Sequence, residues 1–196
     1  MEKKRVFLAI NLPEQIKKQI AQEQKEIDNS FPEEYRRGLI RWTKKKNIHI
    51  TLLFLGSLEE REISALSKTV KEITDKQSQF SLELSNINYG PPAKMPPRMI
   101  WLQLKNNPAL NIIAEEIKKN LFEKKILKKP EGRPFSPHIT LGRIKIWQWK
   151  RIEPEERPVI EKTLDQNFPI KSIELMESKL KRTGAEYQIL ESFPLS

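Results

Sequence analysis

Cysteine is absent from this 196-residue chain, and histidine occurs only twice. Without a thiol there is no disulfide framework, no thiolate nucleophile and no cysteine metal ligand, and nothing demands an oxidising compartment. Long apolar runs are missing as well. No stretch approaches the roughly 18 residues of a membrane span, and "VFLAI" after "MEKKR" is too short for the apolar segment of a signal peptide. These absences argue against a disulfide-stapled secreted domain or a helical membrane protein, and lead to the expectation of a cytoplasmic protein with no membrane partner; a monomer is expected, although the sequence leaves the oligomeric state open. Negative charge is also short, with 26 Asp and Glu against 36 Lys and Arg, a net charge of +10. Such a surplus attracts polyanions through phosphate contacts and counterion release, so RNA or DNA is a natural partner, although lysines that only solvate helix faces would give the same count. The length fits one large domain or two small lobes, because typical domains cluster at roughly 100–150 residues.

The two histidines stand in the same setting. One lies in "NIHITLLFLG" and the other in "SPHITLGR", so both begin His-Ile-Thr-Leu. Threonine fills 7 of 196 positions, yet one follows each histidine by two residues. That pairing favours a common origin over coincidence.

The rest of the chain repeats in step with the motif. "RVFLAI" reads as a strand, and Pro13 opens a helix with Ile16, Ile20 and Ile27 on one face. "NIHITLLF" is a second strand, "SLEEREISALSKTVKEI" a helix capped by Ser57 with Glu60 three residues on, and "QFSLELSNINY" a third strand. After the turn "GPPAKMPP" come strand "MIWLQL", a helix opened by Pro108 and strand "PHITLGRI". A helix at about Arg157 to Gln166, a strand from Phe168 to Lys179 and the terminal strand "GAEYQILESF" complete the series. Pro13 matches Pro108 at an offset of 95 residues, and His49 matches His138 at 89. The expected organisation is a single domain over 1–196, with pseudo-repeats at about 4–90 and about 98–180 and a last strand at about 185–193.

Residues two apart on a strand share a face, so His49 aligns with Thr51 and His138 with Thr140, while Ile48, Ile50 and Leu52 point to the core. If the repeats face each other across a pseudo-twofold axis, two imidazoles and two hydroxyls converge. Two imidazoles flanking a phosphorus suit in-line displacement, one taking a proton from the attacking oxygen and the other protonating the leaving oxygen. The threonine hydroxyls can donate to non-bridging phosphate oxygens. A metal site is the competing reading of paired histidines, but neither sits in "HExxH" or a compact cluster with carboxylates, so no metal and no other cofactor is expected.

These residues resemble the two-histidine (2H) phosphoesterases, and most closely the bacterial and archaeal RNA 2′,3′-cyclic phosphodiesterases, also called 2′-5′ RNA ligases. The resemblance runs through "RVFLAINLP", "WTKKKNIHITLLFLG", "PPRMIWLQL", "FSPHITLGR" and "GAEYQILESFPL". It implies a bilobal α+β fold, two antiparallel sheets facing a central cleft with helices outside. It implies metal-independent opening of a terminal 2′,3′-cyclic phosphate to a 2′-phosphate, on RNA ends such as tRNA fragments or on small cyclic nucleotides, with His49 as proton donor and His138 as proton acceptor. It further implies a weaker ligation of tRNA halves, so a 2′-5′ RNA ligase is an alternative reading, as is an inactive RNA-binding module of the same fold. Arg143, five residues after His138, stands where His49 is followed by Phe54, and the resemblance makes this arginine a phosphate contact. Strict alternation would aim Arg143 at the wrong face, so a bend or bulge at Gly142 is expected. Trp42 and Trp101 are expected to pack the lobes, and Trp147 and Trp149 to be exposed near RNA, where they could stack a base. Arg98 and Arg133 are candidate backbone contacts that a plain surface position would equally explain.

Overall fold

The computed structural model describes residues 2–92, 94–127, 135–182 and 184–196. Its framework is an antiparallel sheet built around β1 (Lys3–Asn11), whose central residues Val6 to Ile10 are buried on both faces. Pro13 stands at the cap of α1 (Glu14–Ser30), and α2 (Glu33–Leu39) leads into the short β2 (Ile40–Trp42). A single 3₁₀ turn over Lys45–Asn47 then delivers the chain to β3 (His49–Glu59). α3 (Glu60–Thr74) and β4 (Phe80–Gly90) close the first repeat. The second opens with β5 (Met99–Leu104) and α4 (Pro108–Glu123), where Asn107 Oδ1 accepts the Leu110 amide and Pro108 occupies the first turn. Then come β6 (His138–Ile144), the one-turn α5 (Ile146–Trp149), the edge strands β7 (Lys162–Thr163) and β8 (Asn167–Ile170), and the long hairpin β9 (Ser172–Lys181) and β10 (Gly184–Pro194).

The strands run in the order β10-β9-β1-β3-β6-β5-β4-β7, with β2 added to β6 and β8 to β4. Among the described residues the ladder joins the sheet's two halves, β10-β9-β1-β3 and β6-β5-β4-β7, at one residue pair, Ile50 with Ile139. That seam joins the two His-Ile-Thr-Leu segments. Each repeat sends its last strand across: β4 pairs with β5 of the second half, and β9 with β1 of the first. Helix residues Ile20, Leu66, Val70, Ile113, Ile117 and Leu121 join Leu8, Ile50, Ile139 and Leu141 in one core on the sheet face away from the histidines. Truncating any of these fully buried aliphatics to alanine costs about 2–5 kcal/mol.

Three expectations about elements are corrected. α3 is capped by Glu59, not Ser57, because Ser57 still pairs with Arg5 and the ladder continues to Glu59 opposite Lys3. Glu62 Oε2 accepts the Glu59 amide while the Glu59 side chain accepts from the Glu62 backbone, a reciprocal capping box. No helix forms over 157–166. Ile160 and Leu164 are buried, but Tyr89 Oη donates to the Pro158 carbonyl and the Leu164 amide to the Ser85 carbonyl, so the segment lies along β4 as an edge. The strand expected from Phe168 to Lys179 is two strands, with β8 on β4 and β9 on β1, parted at Lys171.

Candidate active site

Both histidines open their strands beside the seam. Between β1 and β3 the ladder gains a residue, since Leu8 opposes Leu53 and Ala9 opposes Thr51, which leaves Leu52 extra. Between β5 and β6, Ile100 opposes Gly142 and Trp101 opposes Thr140, which leaves Leu141 extra. The bulge therefore recurs at the leucine of each His-Ile-Thr-Leu. It rotates the following residues by one position, so that Phe54 and Arg143 emerge on the histidine face while Leu53 and Ile144 are buried. The bend expected at Gly142 is present, with Leu141 as the inserted residue. Gly142 has its own reason: a Cβ there would lie 2.6 Å from Ile40 Cγ2 and 2.9 Å from Trp42 Cε3.

The two imidazoles are oriented alike. His49 Nδ1 lies 2.7 Å from the Asn47 carbonyl oxygen, and His138 Nδ1 lies 2.8 Å from that of Ser136, in each case two residues back. A carbonyl only accepts, so Nδ1–H donates in both rings and Nε2 is left for chemistry. His49 Nε2 is 2.9 Å from Thr51 Oγ1, whereas His138 Nε2 and the Thr140 hydroxyl make no hydrogen bond among the described residues. The Thr140 carbonyl accepts from Thr43 Oγ1 at 2.8 Å, which ties the second motif to the chain leading to the first.

Packing differs more than hydrogen bonding. Trp101 stacks on His138 with centroids 3.9 Å apart, and the indole lies on Gly90, where a Cβ would come within 2.4 Å of it. His49 instead meets Tyr187 edge-on at 5.2 Å and Phe7 at 5.1 Å, above a floor of Phe7, Ala9 and Met176. Ala9 opposes Thr51, and its small side chain leaves the imidazole room to reach Phe7. Burial pushes both imidazoles below the ordinary 6.5. At each ring the carbonyl bond opposes that shift, and nearby positive charge adds to it, from Lys17 and His138 at His49 and from Arg143 at His138. Among the described residues no three His, Asp or Glu are grouped to hold a metal ion.

His49, Thr51, His138, Thr140 and Arg143 are thus on one face around the seam. The other candidates divide. Trp101 is buried as expected but also touches a histidine, and Trp42 is half-buried with Nε1 donating to Asp28. Trp147 is 60% exposed. Trp149 is a correction: it is buried against Phe31 and Tyr89 with the Arg157 guanidinium over its ring, and forms the wall of a shallow pocket away from the histidines. Arg98 is exposed, and Arg133 falls outside the described residues. Sequence reasoning missed Lys17, which is 7% exposed and donates to Asn11 Oδ1 at 2.6 Å, directly across the ladder from His49. Its signal was there, since Lys17, Ile20, Gln24 and Ile27 follow the helical period and put a lysine on the buried stripe. Tyr187 comes to His49 only through the curl of the terminal hairpin, where Asn47 Nδ2 donates to the Ala185 carbonyl, and no local pattern announces that.

The chain and its fold are similar to known proteins. Residues 10–101 match the family model described as LigT like Phosphoesterase. The chain is 31% identical to an RNA 2′,3′-cyclic phosphodiesterase of Thermotoga maritima, over 95% of this chain and 92% of that protein. It is 32% identical to one of Methanocaldococcus jannaschii, over 96% and 99%. Among solved structures it resembles a Thermus thermophilus protein with a TM-score of 0.81 at 25% identity over 97% of both chains. It also resembles Escherichia coli LigT complexed with 3′-AMP, with a TM-score of 0.78 at 25% identity over 100% of this chain and 99% of that one.

Proposed function

Because the chain belongs to the LigT-like phosphoesterase family, we propose that it is an RNA 2′,3′-cyclic phosphodiesterase that uses His49 and His138 as its acid and base. Neutral His138 accepts a proton at Nε2 from the attacking water, the new P–O bond forms, and the P–O3′ bond breaks in line. Protonated His49 gives its Nε2 proton to O3′, and a 2′-phosphomonoester remains. Thr51, Thr140 and Arg143 donate to the non-bridging oxygens as charge gathers there. The observation that carries the reading is the repeated Nδ1-to-carbonyl bond, which gives both rings the same tautomer and leaves the Nε2 of each for proton transfer.

The proposal extends to RNA ends such as tRNA fragments, met in the cytoplasm by a monomer whose two repeats act as a single bilobal domain, and the +10 charge supports a polyanionic substrate. Turnover of a 2′,3′-cyclic mononucleotide tests it. Activity should persist in excess EDTA. His49→Ala and His138→Ala should each remove most of it, with the double variant little worse, as for groups that act as a unit. Activity restored to an EDTA-treated enzyme by added metal, or near-normal turnover with one histidine missing, would overturn the mechanism.

A further inference from the structure

β2 contributes one side chain to the histidine face, and the reading so far gives it no task. Arg41 is directly opposite Arg143 in the β2–β6 ladder, with both side chains exposed, while the flanking pair Ile40 and Ile144 is buried on the other face. Like charges directly opposed across an antiparallel pair are destabilising, and the ordinary remedy is a carboxylate nearby. Among the described residues neither guanidinium has one. Among the described residues the Arg41 side chain makes no hydrogen bond or ion pair, and that of Arg143 makes only a 3.5 Å contact from Nη1 to Met99 Sδ, a weak acceptor. Both exposed guanidiniums are therefore beside the histidines with no oxygen acceptor among the described residues.

The geometry points to a second phosphate subsite at Arg41, which holds the phosphodiester on the 5′ side of the terminal cyclic phosphate and so favours RNA ends over cyclic mononucleotides. This rests on the cyclic phosphodiesterase reading. Arg143 follows the bulge of the second motif and so belongs with His138 and the reacting phosphate. Arg41 is one strand further along the same face, with Cβ about 5 Å from that of Arg143, and the long stems let the two guanidiniums splay onto neighbouring phosphates. An anion there also removes the repulsion between them, and Arg pairs bidentately with phosphate oxygens.

The test compares kcat/KM on a 2′,3′-cyclic mononucleotide and on a trinucleotide with the same cyclic end, for the native chain and for Arg41→Gln. The preference for the trinucleotide should fall about tenfold in the variant, as for loss of one charge-assisted hydrogen-bonded contact. The log–log salt slope for the trinucleotide should shrink by about 0.7, the value for one phosphate of a single strand. A neutral methylphosphonate at the linkage next to the cyclic end should cost the native enzyme the same factor and cost Arg41→Gln nothing further. An unchanged preference would overturn the subsite and leave Arg41 a solvated surface arginine. Equal loss on both substrates would overturn it differently, by putting Arg41 on the reacting phosphate. If the native chain turns over neither the cyclic mononucleotide nor the trinucleotide, the phosphodiesterase reading fails. The subsite is then decided by binding of the two oligonucleotides, natural and methylphosphonate, to the native chain and the variant, where equal affinities reject it.

Discussion

Gly90→Ala perturbs the site from two strands away. Gly90 is at the end of β4, opposite Met99, and its Cα supports the indole of Trp101. A Cβ there would be 2.4 Å from Trp101 Cδ2, 2.6 Å from Cγ and 2.7 Å from Cε2, while ordinary contact begins at 3.4 Å. The ring must retreat by about 1 Å, and His138 is stacked on it at 3.9 Å, so the imidazole moves too. Overpacking of this kind costs about 1–3 kcal/mol, and for a chain of this size each kcal/mol lowers Tm by about 2–4 °C. A misplacement of about 1 Å at a reacting group can cost about 100-fold in rate. The expectation is a folded variant that melts a few degrees lower and turns over a cyclic nucleotide about 100-fold more slowly. Trp101→Phe vacates part of the indole's volume, so the Gly90→Ala/Trp101→Phe pair should recover activity relative to Gly90→Ala alone, a coupling that a double-mutant cycle measures. Native turnover in Gly90→Ala despite the lower Tm would refute the idea that Trp101 positions His138, as would strict additivity in the cycle.

Two further outcomes concern protons. Burial holds both imidazoles below 6.5 in the folded chain, so kcat/KM should be bell-shaped with its maximum on the acid side of that value, and a profile still rising above pH 7 would contradict it. The same shifts set stability. The unfolded chain takes up protons first as pH falls through 6.5, so stability is full above that pH and declines down to the folded pKa values, and in chemical denaturation His49→Ala or His138→Ala should flatten the decline. Asn11→Asp puts a carboxylate against the buried Lys17 ammonium and across the ladder from His49, and should move the His49 limb of the rate profile to higher pH; Lys17→Met should move it the same way by removing the positive charge, and opposite movements would sink the argument.

The legible parts of this protein are those written in local pattern. Alternation and helical period gave β1, β3, α1, α3 and α4 because each buries one stripe against a shared core. The repeated His-Ile-Thr-Leu gave the histidines and threonines because the same four residues open each of the two strands that present them. What escaped is set by partners distant in sequence. The segment 157–166 has helix-like spacing at Ile160 and Leu164, yet its backbone groups are claimed by Tyr89 and Ser85, and that competition is invisible from within the segment. Trp149 looked exposed because its neighbours are polar, but its ring is covered by Phe31, Tyr89 and Arg157 from three other places in the chain. Arg41 carries no local signal in the sequence, and only the strand register sets it against Arg143.

The duplication also creates a problem that only unduplicated residues can solve. Two imidazoles with the same tautomer on equivalent strands would be interchangeable, and acid–base catalysis needs one neutral and one charged. Every neighbour that differs between the halves breaks that tie. His49 is packed against Phe7 and Tyr187 with its Nε2 held by Thr51, and faces Lys17 through the Asn11 strand. His138 is stacked on Trp101, has its Nε2 free and stands beside Arg143. The arginine has no counterpart on the first side, where the equivalent position is the 59% exposed Phe54. In the proposed mechanism a guanidinium on the second side draws the non-bridging oxygens and the incoming water towards His138, and this placement makes His138 the proposed proton acceptor, since burial and a neighbouring cation disfavour charge on both rings alike. His49 is the proposed proton donor, and its desolvated, cation-facing setting makes that proton easier to give up to the departing oxygen.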